Sequence, residues 1–213
     1  SIDSIFTAVK DAALIQKAGG GTGFGFSRLR PRGDIVRSSG GKTAGPLAFL
    51  RVFSEATNAI QQGAFRRGAN MGVLRIDHPD ILEYVNAKQD PSSLTNFNLS
   101  VAITDEFMRI LRVYPDRVHI VYNPRTGQAG TIMREDGHIW TVGEVFGLLT
   151  DRAWATGEPG VIYIDRINDT NPTPHVGKIE ATNACAEQPL LPYESCNLGS
   201  INISKCVREQ NGK

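Results

Sequence analysis

Met71-Gly-Val-Leu-Arg-Ile76, the run from Pro79 to Lys88, and Phe97-Asn-Leu-Ser-Val-Ala-Ile103 leading into Thr104-Asp-Glu-Phe107 decide the fold. The first and third segments are short, apolar and bounded by polar turns. They read as strands, the second with alternating faces. Pro79 to Lys88 reads as a helix, and Thr104 stands where a hydroxyl would cap another helix by accepting a first-turn backbone N–H. Strands and helices in such close alternation predict an α/β layout with a mainly parallel sheet or barrel. In such folds functional groups collect at strand ends and in connecting loops.

Outward from this centre the alternation continues. Ile2, Ile5, Phe6, Val9, Ala12, Ala13 and Leu14 fall at helical spacing over residues 2–18, and Gly19-Gly20-Gly21 stops that helix. Pro46 suits a first helical turn, Leu47, Leu50, Phe53, Ala56 and Ile60 form a stripe, and Gly63 is placed as a stop. His119 to Tyr122 reads as a short strand. Thr141 and Glu144 match a capping box opening a helix to about Ala155, and Val161 to Ile164 reads as a buried strand. A loop from Asn168 to Gly177 follows. Ser200 to Ile203 looks strand-like but has no closing element after it, so one domain, truncated, is expected over 1–213.

The chain's 213 residues, 40% hydrophobic and 21% charged, are those of an ordinary globular protein. A formal net charge of +1 argues against a basic nucleic-acid binder. Arginine is nevertheless concentrated locally at Arg28, Arg30, Arg32, Arg37, Arg66, Arg67 and Arg75, a pattern suited to a compact anionic ligand. No window offers the roughly 18 apolar residues of a membrane span, and no signal peptide opens the chain, so a cytoplasmic protein without a membrane partner is expected. Cys185, Cys196 and Cys206 are an odd set without CxxC spacing, which points to reduced or catalytic thiols. Asp77, His78 and Asp80 are the nearest approach to a metal set. His119, His138 and His175 show no ligand spacing, so no metal is expected and His78 is read as a helix-entry residue. Trp140 and Trp154 are expected to pack.

The chemistry concentrates in Asn183-Ala-Cys185-Ala-Glu187. On an extended chain alternate side chains share one face at about 6 to 7 Å per two residues, so an amide, a thiol and a carboxylate would line one small site. Ala184 and Ala186 would take the opposite face, and Pro189 would end the strand. Cys196 supplies a second thiol nearby. Gly19 to Gly25 is glycine-rich enough to bring backbone N–H groups to a phosphate, but it fails GxGxxG in every register. Gly41-Lys42-Thr43 fails the phosphate-loop pattern because Val36 stands at the first glycine position. Two loops remain that pair arginines with glycines, Ser27 to Gly33 and Gly63 to Asn70, and bidentate arginine forks suit phosphate oxygens.

Three blocks together resemble the large catalytic subunit of ribonucleotide reductases: Lys17 to Phe24 with Ser27 to Asp34, Arg66 to Met71 with Arg75 to Asp80, and Asn183 to Leu190 through Ser195 to Asn202. They span nearly the whole chain in family order. Their wording is most similar to the adenosylcobalamin-dependent class II enzymes, ahead of the iron-dependent class I. The resemblance implies a ten-stranded α/β barrel of two five-stranded halves, this chain covering most of the first half and truncated at both ends. It implies a thiyl radical on Cys185 that removes the ribose 3′ hydrogen, Glu187 as base on the 3′ hydroxyl, and Asn183 as orienting amide. Cys196 would be one member of the dithiol that reduces the 2′ position, its partner lying upstream of Ser1.

The resemblance further implies that Gly20 and Gly21 line the substrate. Arg28 would belong to a first effector loop, and Arg66, Arg67, Gly68, Ala69 and Asn70 to a second, through which a deoxynucleotide triphosphate selects the ribonucleotide reduced. Adenosylcobalamin, a thioredoxin-type reductant, the rest of the barrel and a second copy of the chain are the implied partners. The competing reading is an inactive split or excised piece that serves as a nucleotide-binding or assembly module, and the isolated chain is expected not to turn over. A thiol hydrolase built on Cys185 lacks a well-placed histidine.

Overall fold

The computed structural model describes residues 1–36, 40–60 and 68–206. Helix α1 (Ile2–Lys17) starts at Ser1, whose hydroxyl accepts from the Ser4 N–H, and the chain turns at Gly19 into strand β1 (Thr22–Gly25). Next come α2 (Pro46–Ile60), β2 (Asn70–Arg75), α3 (Ile81–Val85), β3 (Phe97–Ile103) and α4 (Asp105–Val113). A hairpin of β4 (Ile120–Tyr122) and β5 (Ala129–Thr131) precedes α5 (Val142–Thr156), β6 (Gly160–Tyr163) and α6 (Ile164–Asp169). A two-residue ribbon, β7 (Ala181–Thr182) with β8 (Pro189–Leu190), comes last among the strands. The caps read from sequence are in place. Thr104 Oγ1 accepts from the Phe107 N–H at 3.1 Å, Thr141 and Glu144 form the reciprocal box, and Gly157 closes α5 at φ 80°.

Strands β1, β2, β3 and β6 form one parallel sheet in that order. Its register sets Gly23 beside Met71 and Met71 beside Asn98. The helical face carries the larger core, in which Leu50, Phe53, Tyr84, Val101, Phe107 and Val145 are buried together. Full burial of such a side chain contributes about 1.5–3 kcal/mol, so this face anchors the sheet. On the opposite face Met71, Val73, Ala102, Ile162 and Ile164 form a smaller cluster with Ala181 and Ala186 from the ribbon segment. Two covered faces explain why β2 and β3 are near-continuous apolar runs. The alternation expected of 97–103 is therefore absent, and Asn98 is its one exposed residue.

Several expectations are corrected. The helix expected over 79–88 is only Ile81–Val85, and the glycine run is half turn and half strand. Strand β6 is at a sheet edge among the described residues, so Val161 and Tyr163 are 39% and 46% exposed where burial was expected. Residues 200–203 form no strand; a short 3₁₀ turn, Ile203–Lys205, stands there. Trp154 does not pack and is 91% exposed, whereas Trp140 lies against the main core. Gly63 lies outside the described residues. No helix among those described is long and apolar enough to cross a membrane.

Candidate functional site

Asn183, Cys185 and Glu187 do not lie on a strand. Ala181 and Thr182 pair antiparallel with Leu190 and Pro189, and the six residues between them reverse the chain. The Asn183 N–H donates to the Gln188 carbonyl at 3.0 Å, the Gln188 N–H donates to Asn183 Oδ1 at 3.0 Å, and the Ala186 N–H donates to the Asn183 carbonyl at 3.1 Å. The asparagine side chain thus offers the backbone a local alternative to a ladder, and the chain turns. Ala186 adopts φ 68°, a left-handed conformation that costs an alanine about 1–2 kcal/mol. Pro189 opens β8 where it was expected to end a strand.

The turn presents Cys185 and Glu187 to solvent and buries Ala184. Neither the Cys185 thiol nor the Asn183 Nδ2 group has a hydrogen-bond partner among the described residues, so thiol, carboxylate and amide donor are all available at one turn. The alternate-face argument fails, but the three groups remain neighbours because the turn is short.

The glycine run supplies the seat for this turn. A Cβ on Gly21 would stand 3.1 Å from Ala184 Cβ, one on Gly23 would stand 1.7 Å from the Thr182 carbonyl oxygen, and one on Gly25 would stand 3.3 Å from the Glu180 carbonyl oxygen. Positions 21, 23 and 25 share one strand face by the two-residue period, so β1 offers a bare strip along which 180–184 lies. Phe24, on the other face, joins Phe26, Phe53 and Phe97 in the main core. The run is glycine-rich enough for backbone N–H groups to approach a phosphate; in the fold Gly21, Gly23 and Gly25 lie against residues 180–184, which lead into the cysteine turn. Gly20 faces elsewhere, its missing Cβ lying 2.7 Å from Ile15 Cγ2 at the end of α1.

One residue of the site escaped the sequence reading. Asn98 Nδ2 donates to the Ala184 carbonyl at 2.8 Å, from the β3 position level with Gly23 and Met71. The available signal was the one amide side chain in a strand whose other residues are apolar or small.

The arginines of the first loop, and Arg75, are already engaged. Arg28 Nε and Nη2 both donate to Glu180 Oε1, at 2.9 and 2.6 Å, which ties the first arginine loop to the foot of the cysteine hairpin. Arg75 forks onto Asp77, Arg32 pairs with Glu83 at 3.5 Å, and Arg30 donates to the Ile35 carbonyl. Arg125 clasps Asp34 and holds its carboxyl down at about 2. Asn70 is buried: its Oδ1 accepts from Gln16 at 2.7 Å and Thr22 at 2.6 Å, and its Nδ2 donates to Thr57 at 2.9 Å. Gly68 packs on Thr57, and the Ala69 carbonyl accepts from the Thr22 N–H at 3.0 Å, one residue from Gly21. Arg37, Arg66 and Arg67 lie outside the described residues.

Cys196 and Cys206 are exposed free thiols in the segment after β8. His78 is a structural residue, its Nδ1 accepting from the Asp80 N–H and its Nε2 donating to the Leu29 carbonyl, and burial pushes its pKa down. Among the described residues no cluster of three His, Cys, Asp or Glu side chains could hold a metal ion.

A parallel α/β sheet with a thiol-bearing hairpin across one face is what these residues build. A family model described as the ribonucleotide reductase barrel domain matches residues 1–213. The chain belongs to that family. It is 51% identical over 208 residues to the vitamin B12-dependent ribonucleoside-diphosphate reductase of Thermoplasma acidophilum, covering 97% of this chain and 26% of that protein. A reductase of the same name from Mycobacterium tuberculosis is 48% identical over 210 residues, with 98% of this chain and 29% of that protein covered. The large subunit of the ribonucleoside-diphosphate reductase of Dictyostelium discoideum is 26% identical over 237 residues, 27% of its length. This ribonucleotide reductase chain therefore spans under a third of those relatives, and its described strands form an open sheet in place of a closed barrel.

Proposed function

We propose that this chain is the part of a vitamin B12-dependent ribonucleotide reductase that presents the reacting thiol to the ribose. The carrying observation is the Asn183–Gln188 turn, which holds the exposed Cys185 and Glu187 beside a half-buried Asn183 whose Nδ2 has no partner among the described residues. In this reading a Cys185 thiyl radical takes the 3′ hydrogen atom while the Glu187 carboxylate takes the 3′ hydroxyl proton and Asn183 Nδ2 donates to the sugar. Cys196 and a second thiol then supply the two electrons that reduce the 2′ position and end as a disulfide, the 2′ oxygen leaving as water, and the Cys185 thiol returns its hydrogen atom to the 3′ carbon, which restores the sulfur radical. The segment carrying Cys196 is exposed and irregular, which suits a thiol that must approach the site and afterwards meet an external dithiol reductant.

The names of the more similar relatives suggest adenosylcobalamin as the cofactor. The donor set suits it at the thiol, which is solvent-accessible and flanked by the small Ala184 and Ala186, so Cys185 and Ala186 would border the group. When bound, the cofactor supplies the radical chemistry that amino-acid side chains lack. The chain's own residues orient the sugar and accept its proton.

The second arginine loop, from Arg66 to Asn70, is proposed to carry effector specificity for a deoxynucleotide triphosphate. Its end at Ala69 is bonded to the Thr22 N–H, beside the Gly21 seat, so effector and substrate sites would share backbone. Asn70 would act there through the buried Gln16–Thr22–Thr57 network, and Arg28 through Glu180. The test is Cys185→Ser in the full-length protein supplied with adenosylcobalamin, a ribonucleotide and a dithiol. Deoxynucleotide formation is expected to vanish; undiminished turnover would sink the assignment.

A further inference from the structure

The Cys185 turn is fixed on its sheet side by a side chain that belongs to neither the hairpin nor the glycine strip. Asn98 stands on the sheet face opposite the helices, in register with Met71 and through it with Gly23. Its Nδ2 donates to the carbonyl of Ala184, the residue immediately before Cys185, at 2.8 Å. Every other residue of β3 is buried, so Asn98 is the one side chain of the strand that reaches out of the sheet toward the hairpin. Its partner here is one backbone carbonyl. That carbonyl lies in the peptide joining Ala184 to Cys185, so holding it sets the direction in which the cysteine leaves the turn. The Gly21 and Gly23 contacts press on Ala184 and Thr182 without directionality; the Asn98 hydrogen bond adds the orientation they lack.

We infer that Asn98 is a positioning residue for the reaction: its amide donor fixes the Ala184–Cys185 peptide and thereby the place of the Cys185 sulfur relative to the ribose. The inference rests on the proposed role of Cys185. A sulfur displaced by about 1 Å from its hydrogen-atom donor loses roughly 100-fold in rate, whereas substrate affinity depends on groups elsewhere. The signature is therefore a fall in kcat at constant KM.

The experiment compares Asn98→Ala, which deletes the donor, and Asn98→Asp, which keeps the shape but replaces the donor by an acceptor, in the full-length protein. Asn98→Ser, with a small donor of its own, is the rescue variant. Expected are kcat values lowered about 10- to 100-fold in Asn98→Ala and Asn98→Asp, KM within about 2-fold of wild type, and partial recovery in Asn98→Ser. A second readout needs no turnover: alkylation of Cys185 by iodoacetamide, followed by peptide mass spectrometry to separate it from Cys196 and Cys206, should change several-fold in rate in the first two variants. A urea midpoint near wild type shows that each variant is folded, and if Asn98→Ala is not, Asn98→Asp carries the test. Wild-type kcat and alkylation rate in Asn98→Asp, or a rise in KM alone, would overturn the positioning role. If Cys185→Ser abolishes turnover while Asn98→Asp does not alter it, only this inference fails; if Cys185→Ser is active, the function proposed above fails first.

Discussion

Gly23→Ala isolates the seat beneath the cysteine turn. The backbone at Gly23 is ordinary β-strand, so alanine is conformationally acceptable there and the only obstacle is contact. The new Cβ would stand 1.7 Å from the Thr182 carbonyl oxygen, against a floor of 3.0 Å for real Cβ contacts, so at least about 1.3 Å of separation must open. The atom struck is backbone and cannot rotate away. Either β1 withdraws from the sheet or the hairpin lifts, and the hairpin is the lighter body. Overpacking of this kind costs about 1–3 kcal/mol, and lifting the hairpin displaces Cys185 by an amount that lowers turnover roughly 100-fold. Two glycines calibrate the measurement. Gly25→Ala meets the Glu180 carbonyl at 3.3 Å and needs only a small adjustment, whereas Gly147→Ala, in α5 with open space around it, should gain about 0.5–1 kcal/mol of helix stability. Urea unfolding should rank Gly147→Ala above wild type, Gly25→Ala slightly below and Gly23→Ala lowest, with only Gly23→Ala severely impaired in turnover. A Gly23→Ala protein within about 0.5 kcal/mol of wild type and fully active would refute the reasoning, because the hairpin could not then be seated as described.

Tyr84→Phe should lower the urea midpoint by an amount equivalent to about 0.5–1.5 kcal/mol, since the fully buried hydroxyl donates to the Gly72 carbonyl at 2.6 Å; an unchanged midpoint would mean that this bond contributes nothing. Stability should also fall with acid in two stages. His78 and His119 are held neutral by burial, so their contribution is complete above the ordinary histidine value of 6.5 and is lost as pH falls below it. Asp34 and Glu144 are both lowered to about 2, by Arg125 and by His138 with Thr141, so their contribution is complete above about 4.5 and disappears as pH approaches 2. A melting temperature that stays flat from pH 7 to 3, or that falls equally in a double Asp34→Asn, Glu144→Gln variant below pH 4, would contradict these assignments.

The elements most legible in sequence were those whose ends are chemically marked. Thr104 and the Thr141–Glu144 box fixed two helix starts, and the strand from Phe97 to Ile103 has the predicted bounds because polar turns flank an apolar run. The chemical types at the site were legible too, since thiol, carboxylate and amide two apart are rare in company. Their geometry was not. The alternation Asn-x-Cys-x-Glu is equally the pattern of a strand face, and only the Asn183 side-chain bond to Gln188 and the left-handed Ala186 decide for a turn. Strand β1 was hidden for a related reason: glycine has poor strand propensity, so Thr22–Gly25 reads as a loop until the hairpin that needs its bare face is in place. Trp154 and β6 misled because apolar composition predicts burial only where something packs against it.

The left-handed alanine and the bare glycine strip belong to one argument. An alanine at φ 68° is not held by local preference, and such a conformation persists only where surrounding contacts over-determine it. Here Gly21 receives Ala184, Gly23 receives the Thr182 carbonyl, Asn98 holds the Ala184 carbonyl before Cys185, and Asn183 accepts from the Ala186 and Gln188 N–H groups after it, so the chain has few other paths across the sheet. The contacts all lie on the sheet side, which leaves the cysteine side of the turn open. On the function proposed above, a thiol whose backbone is fixed from beneath and whose sulfur is free above would meet both demands of radical chemistry on a sugar: short, repeatable approach to one hydrogen atom, and access for a radical source from outside the chain. A strand would align the three groups but leave their sheet-facing neighbours unspecified. The turn gives up regular hydrogen bonding and accepts strain at Ala186, and in return the position of Cys185 becomes a property of β1 and β3, the two strands that flank the buried central strand β2.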